Sequence, residues 1–296
     1  MTRRRPHSVL VSLLILWPAC GWAAQEYSVS GLVLAVNSSA RTLTVSCKSI
    51  PGFMEAMTMS YSVRDSKELD GLQPGTMVDF TLVVDKWTSH AEQVRIRPFE
   101  SDEQEPLQAR RLALLQKVLR PSTAATQPLA VEQTVPDFTL KDQTGRPVSL
   151  HEFAGKIVAL NFVYTRCPLP DNCFRFSTYF GRLQERFAER MGRDFVLLTV
   201  SFDPVHDLPE VLANYAKTWK ANPASWHFLT GSTEEVGHVC RWFGVQAWSD
   251  EALLTHTQHT VLIGRNGKLV ANVEGNQFSA EQLGDLVEAV MNTSPK

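Results

Sequence analysis

The stretch that most restricts the fold runs from Val158 to Phe176 and reads VALNFVYTRCPLPDNCFRF. An apolar run of strand-forming residues, Val158 to Tyr164, ends at Arg166, and Cys167 stands just past its tip. Pro168 and Pro170 stiffen the following loop and Cys173 closes it. Phe176, Phe180, Leu183 and Phe187 then recur at helical spacing. Strand, cysteine loop and helix form one unit. In an α/β sheet, ligands bind in the crevice beyond the carboxyl ends of the strands, where the next helix opens with unpaired N–H groups that favour a thiolate. Both thiols are therefore expected at a working edge.

From Pro136 onward strands and helices alternate, which predicts a layered βαβ domain with a largely parallel core. Strand Phe195 to Ser201 is followed by a helix whose expected capping box is Asp207-Leu208-Pro209-Glu210. A short strand near His227 to Leu229 precedes a second capped helix at Ser232-Thr233-Glu234-Glu235. A hairpin of Thr260 to Gly264 and Lys268 to Glu274, turning at Arg265-Asn266-Gly267, leads to a final amphipathic helix, Ser279 to Met291.

The first part of the chain differs in kind. Short β-rich runs at Tyr27 to Val36, Arg41 to Cys47, Met57 to Val63, Thr76 to Val84 and Ala91 to Arg97 predict a small all-β barrel. Between the two lies an acidic start (Glu100 to Glu105), an amphipathic helical pattern (Leu107 to Leu119) and a stretch rich in Ala, Thr, Ser and Pro, read as a linker. The expected division is a leader at 1–24, a barrel at 25–98, a linker at 99–134 and an α/β domain at 135–296.

The leader is expected because MTRRR precedes an apolar run, Val9 to Trp17, and then small residues up to Ala24, with cleavage near Ala23 or Ala24. That run is shorter than the ~20 residues of a spanning helix. Only an uncleaved leader would anchor the chain at the inner membrane. Cys20 as a lipidation site is the lesser alternative, since Trp17 and Pro18 precede it. Export to the periplasm matters because paired cysteines oxidise there unless a metal or a reductant holds them. The formal charge of -2 falls further without the leader's arginines, and a mildly acidic body argues against nucleic-acid binding.

The segments PDFTLKDQTGRPVSL, SFDPVHDLPEVL and HTQHTVLIGRNGKLV, with the strand ending in Cys167, resemble the SCO/SenC copper chaperones, thioredoxin-fold proteins associated with copper delivery to cytochrome c oxidase. The likeness covers about Val135 to Met291. It implies a copper site made of Cys167, Cys173 and His256, with the acidic residue of a DP motif, Asp203, behind it. One departure is the spacing: five residues separate the cysteines here, three in the family pattern. The donor chemistry agrees, since thiolates favour Cu(I) and one imidazole completes a trigonal site that also accepts Cu(II). A plain structural disulfide is the alternative for the pair, and an Asp-Pro turn for Asp203. His259 reads as a hydrogen-bonded strand histidine and Cys240 as a core residue.

In the barrel, CKSIPGFMEAMTMSYSV looks like the periplasmic CusF-like copper-binding domain, which is OB-like. The likeness implies a Cu(I) site of Met54, Met57 and Met59, with Cys47 where that family carries histidine. Period-two geometry puts Met57, Met59, Tyr61 and Val63 on one face, which by itself is also the pattern of a barrel core. The combined expectation is a copper metallochaperone serving an oxidase subunit or another periplasmic cuproprotein, kept active by a thiol reductant, with transfer and not turnover as its function. A thiol-disulfide oxidoreductase using Cys167 and Cys173, and a copper storage or resistance protein, are the alternatives.

Overall fold

The computed structural model describes residues 24–86, 88–97, 127–168, 170–250 and 253–292; the side chains of 170, 171, 247–250 and 253–256 are also outside that set. The expected leader and the linker's helical stretch lie outside the described residues.

The first domain is a closed barrel of β1 (Gln25–Asn37), β2 (Thr42–Cys47), β3 (Met57–Val63), β4 (Met77–Val84) and β5 (Ser89–Ile96), ordered β1-β2-β3-β5-β4 as in an OB-type fold. Closure depends on β1. Its first part pairs with β4, its later part pairs with β2, and a bulge between Val33 and Ala35 bends it between the two. Gly31 stands at the crossing, where a Cβ would lie 2.4 Å from Val45 Cγ1 and 2.6 Å from the Ser46 carbonyl oxygen.

The second domain begins with a small hairpin of β6 (Thr139–Lys141) and β7 (Pro147–Ser149). Its central sheet contains β8 (Ile157–Val163), β9 (Phe195–Ser201), β10 (Trp226–Leu229), β13 (His259–Ile263) and β14 (Leu269–Glu274). A separate ribbon, β11 (Ala247–Asp250) and β12 (Leu253–His256), precedes β13. The helices are α1 (Arg175–Arg186), α2 (Pro209–Thr218), α3 (Thr233–Trp242) and α4 (Ala280–Asn292). The sheet order is β10-β9-β8-β13-β14, with β8, β9 and β10 parallel and β13 and β14 antiparallel: a βαβ unit joined to a ββα unit, the thioredoxin-like arrangement. β8 is the middle strand and is buried along its whole length, so its carboxyl end opens at the centre of one sheet edge.

The two domains share one apolar cluster. Leu32, Leu34 and Met77 of the barrel pack with Ala271, Val273, Phe278 and Leu283 of the second domain. At Gly75, whose φ of +91° already favours glycine, a Cβ would come within 2.9 Å of Val273 Cγ2. The barrel is thus docked on β14 and α4, where the sequence led us to expect modules joined through a linker.

Candidate metal centres

The cysteine loop starts from a turn fixed by a buried carboxylate. Asp207 accepts from the Thr165 backbone N–H at 2.9 Å, from Thr165 Oγ1 at 2.5 Å and from Ser201 Oγ at 2.5 Å. It is fully buried. The expected capping role of Asp207 is therefore corrected: Leu208 is the N-cap residue of α2, with extended backbone and Pro209 at the first helical position, and no side chain caps it. Proline supplies the helical start without a donor to satisfy, which frees Asp207 to turn inward and hold the loop.

Past Thr165, the Cys167 backbone N–H bonds back to the Tyr164 carbonyl at 3.2 Å. The loop re-enters helix through a π turn, Pro170–Phe174, with Asn172 at φ −108° and ψ −110°. That wide turn takes up the long spacing between the cysteines. Cys173 is buried, Cys167 is partly exposed, and the two thiols are hydrogen-bonded to each other. Burial, with Cys167 beside it, pushes the Cys173 thiol well above its ordinary pKa, outweighing two backbone hydrogen bonds that act the other way. The sequence had suggested that a helix start would favour the thiolate; here desolvation wins.

His256 closes β12, its backbone opposite Ala247 in the ribbon. Its side chain lies outside the described ones. Two residues on, Gln258 donates its amide to Asn172 Oδ1 in the cysteine turn, both residues being buried. The segment that carries His256 is therefore tied to the turn that carries Cys173. His259 is the hydrogen-bonded strand histidine expected of it: Nδ1 lies 2.9 Å from Asn272 Oδ1, and burial lowers its pKa. Cys240 packs in the core, its thiol pushed up to about 12 by desolvation.

Asp203 forms a turn, and its side chain binds neighbours of the cysteine loop. Its backbone carbonyl accepts from the N–H groups of His206 and Asp207, closing a turn. Its carboxylate meets Arg166 Nη2 at 2.6 Å and His206 Nδ1 at 2.8 Å. Burial opposes its ionisation, yet those hydrogen bonds and the Arg166 charge hold its pKa below the usual carboxylate value. Asp203 thereby braces the residue next to Cys167. Asp207, Gln258 and Asn172 are contributors that sequence reasoning missed. Gln258, a polar residue just before a buried strand, was the one visible signal.

In the barrel, Cys47 and Met57 are direct cross-strand partners on β2 and β3, as are Val45 with Met59 and Leu43 with Tyr61. One face of β3 therefore grades from buried Val63 and Tyr61 through half-buried Met59 to exposed Met57 at 48%. A core would close over that last methionine; this face opens. Met54 packs against the same cluster from the loop, where its backbone pairs with Ile50. The Cys47 thiol lies 3.3 Å from Tyr61 Oη, and burial raises its pKa, partly offset by that contact. Among the described residues no group of three or more His, Cys, Asp and Glu side chains forms a metal cluster. Both candidate sites rely on donors beyond that set: thioethers in the barrel, and at the loop a histidine whose side chain is not described.

The model of the SCO1/SenC family matches residues 126–292. The chain belongs to the SCO1/SenC family. Residues 26–95 match the model described as copper binding periplasmic protein CusF. Among curated SCO relatives, the chain is 27% identical over 146 residues to the SCO1 protein homolog of Bacillus subtilis, a match covering 48% of this chain and 74% of that one. It is 26% identical over 156 residues to protein sco1 of Schizosaccharomyces pombe, covering 49% of this chain and 56% of that protein. A crystal structure of Arabidopsis thaliana ScoI with copper bound is similar at 26% identity and a TM-score of 0.48, covering 54% of this chain and all of that one.

Proposed function

We propose that this SCO-family chain is an exported copper metallochaperone with two sulfur sites: Cys167, Cys173 and His256 at the tip of β8, and Met54, Met57, Met59 and Cys47 in the barrel. The observation that carries the reading is the hydrogen-bonded thiol pair at the sheet edge, with the His256 segment tied to the same turn through Gln258 and Asn172. Copper is the cargo. Binding one Cu(I) at the thiol pair releases two S–H protons, and the metal's charge provides the driving force that desolvation denies to the free thiolate. Partly exposed Cys167 is the sulfur an acceptor ligand meets first, so transfer runs through a complex in which donor and acceptor share the ion.

Delivery is supported by the surface around the two sites. Among the described residues six large apolar side chains are exposed, and five flank these sites: Phe174, Val205 and Leu208 around the thiol loop, Phe53 and Met57 at the barrel. The recipient we propose is a CuA-type oxidase subunit. The test is to mix the Cu(I)-loaded chain with the apo soluble domain of such a subunit, separate the two, oxidise the acceptor by one electron with ferricyanide, and follow its purple-site absorption. Stoichiometric appearance of that band supports delivery, and its absence, with copper retained on the chain, contradicts it.

One observation favours a second reading, a thiol-disulfide oxidoreductase. An accessible sulfur backed by a buried one is the arrangement of an attacking and a resolving cysteine. In that chemistry the Cys167 thiolate attacks a partner disulfide and Cys173 displaces the mixed disulfide, leaving the partner with two thiols and this chain with one disulfide. Partner reduction that persists without copper and disappears in Cys167→Ser would favour it.

A further inference from the structure

The second domain reaches the strand pair that carries the barrel's sulfur donors. Ser46 and Thr58 are cross-strand partners one step along the β2–β3 ladder from Cys47 and Met57. Because side chains alternate, the sulfur pair faces the barrel interior while Ser46 and Thr58 face outward, toward α4. There Ser46 Oγ donates to Asp285 Oδ2 at 2.7 Å and Thr58 Oγ1 donates to the same oxygen at 3.2 Å. Gln282 Nε2 donates to the Ser46 carbonyl oxygen at 2.8 Å, and its own carbonyl accepts from the Ser279 N–H at 3.0 Å, which fixes the amide's orientation. Arg186 Nη2 of α1 holds the other Asp285 oxygen at 2.8 Å.

We infer that Asp285 and Gln282 of the second domain are positioning residues for the barrel's Cys47–Met57 sulfur site, so that docking sets the copper affinity of the first module. The inference rests on the proposal that this site holds Cu(I). Cys47 is the last residue of β2 and Met57 the first of β3, so both sulfurs sit where a ladder ends and frays. A metal site needs its donors at a fixed spacing, and partners behind the ligands that fix it are worth about 10- to 100-fold in affinity. The Ser46–Asp285–Thr58 bridge joins the two strands at that end. Leu32, Leu34 and Met77 keep their apolar contacts with the second domain when Asp285 is replaced, so the bridge can be cut while the domains stay docked.

The test uses the full chain with Cys167→Ser and Cys173→Ser, leaving the barrel as the copper site, titrated anaerobically with Cu(I) against a competing chelator. Asp285→Ala should weaken binding about tenfold. Asp285→Asn keeps an oxygen that accepts from Ser46 and should stay within about threefold of the parent. Leu198→Ala, in the second domain's own core and outside the shared cluster, is the control for structure alone: it should lower the melting temperature and leave affinity unchanged. Equal affinity in the parent and Asp285→Ala, with a barrel equivalent still present, overturns the inference alone. No Cu(I) bound by the parent overturns it together with the methionine-site reading.

Discussion

The thiol loop and the methionine end of the barrel both gather sulfur, by different means. At the loop, the donors come from a turn and from a neighbouring connection, and buried carboxylates and amides hold them: Asp207 under Thr165, Asn172 against Gln258. In the barrel they come from one strand face in register, and the brace lies on the other domain. The first site has two thiols, each with a proton to lose, and the second, by the proposed donors, has one thiol among three thioethers, which carry no such proton. The two also stand apart. Asp285, beside Thr58, is tied to Arg186 at the far end of α1, and the 12 residues of that helix span about 18 Å from the cysteine loop. On the proposed assignment of both sites, no copper ion is shared between them in the docked arrangement, and direct transfer from one to the other would require the domains to part.

The comparison can be broken most severely at the loop. Replacing Cys167 by Ser should weaken the loop's copper affinity by roughly three orders of magnitude, the share of one strong ligand among three, and leave the barrel equivalent intact. A Cu(I) titration in which both equivalents survive would remove Cys167 from the site.

Acid sharpens the contrast further. Two protons compete at the loop, so its affinity should fall about a hundredfold for each pH unit lost below the thiol pKa values. The sign follows from the upward shift of Cys173: a thiol harder to ionise is protonated over a wider range, and copper is lost as pH falls. The barrel has one such proton, on Cys47, and should lose at most about tenfold per unit. Parallel slopes from competition titrations at several pH values would contradict the division into thiol and thioether sites.

Met57→Leu with Met59→Leu should abolish the barrel equivalent while costing less than about 1.5 kcal/mol of stability, because the swap conserves volume and Met57 is half exposed. A large drop in melting temperature with copper binding retained would return this face to core packing. The smallest expected effect is Asp207→Asn. It keeps the oxygen that the Thr165 N–H and Ser201 hydroxyl share but puts an NH2 group where the Thr165 hydroxyl donates, and should cost about 1–3 kcal/mol in chemical unfolding.

The strands of both domains were legible because period-two alternation in the barrel and unbroken apolar runs in the sheet are direct images of burial on one face or on two. The docking was not inferred, although β1 carried a sign of it. Gly31-Leu32-Val33-Leu34 is buried throughout, where a barrel strand with one face in water would alternate. Asp207 was misjudged because Asp followed closely by Glu matches a capping pattern, and the proline between them moved the cap by one residue. The thiol pair was legible from the strand that delivers it. Its hydrogen bond and the π turn that absorbs its spacing depend on three-dimensional closure of the loop, which no spacing rule encodes.

The most direct measurement is the copper stoichiometry of the reduced full chain, by anaerobic Cu(I) titration against a competing chelator, repeated on the Cys167→Ser, Cys173→Ser chain and on the Met57→Leu, Met59→Leu chain. Two tight equivalents in the parent and one in each variant is the predicted result. One equivalent in the parent, unaffected by loss of the cysteine pair, would contradict a copper site at the thiol loop and leave that pair to thiol-disulfide chemistry.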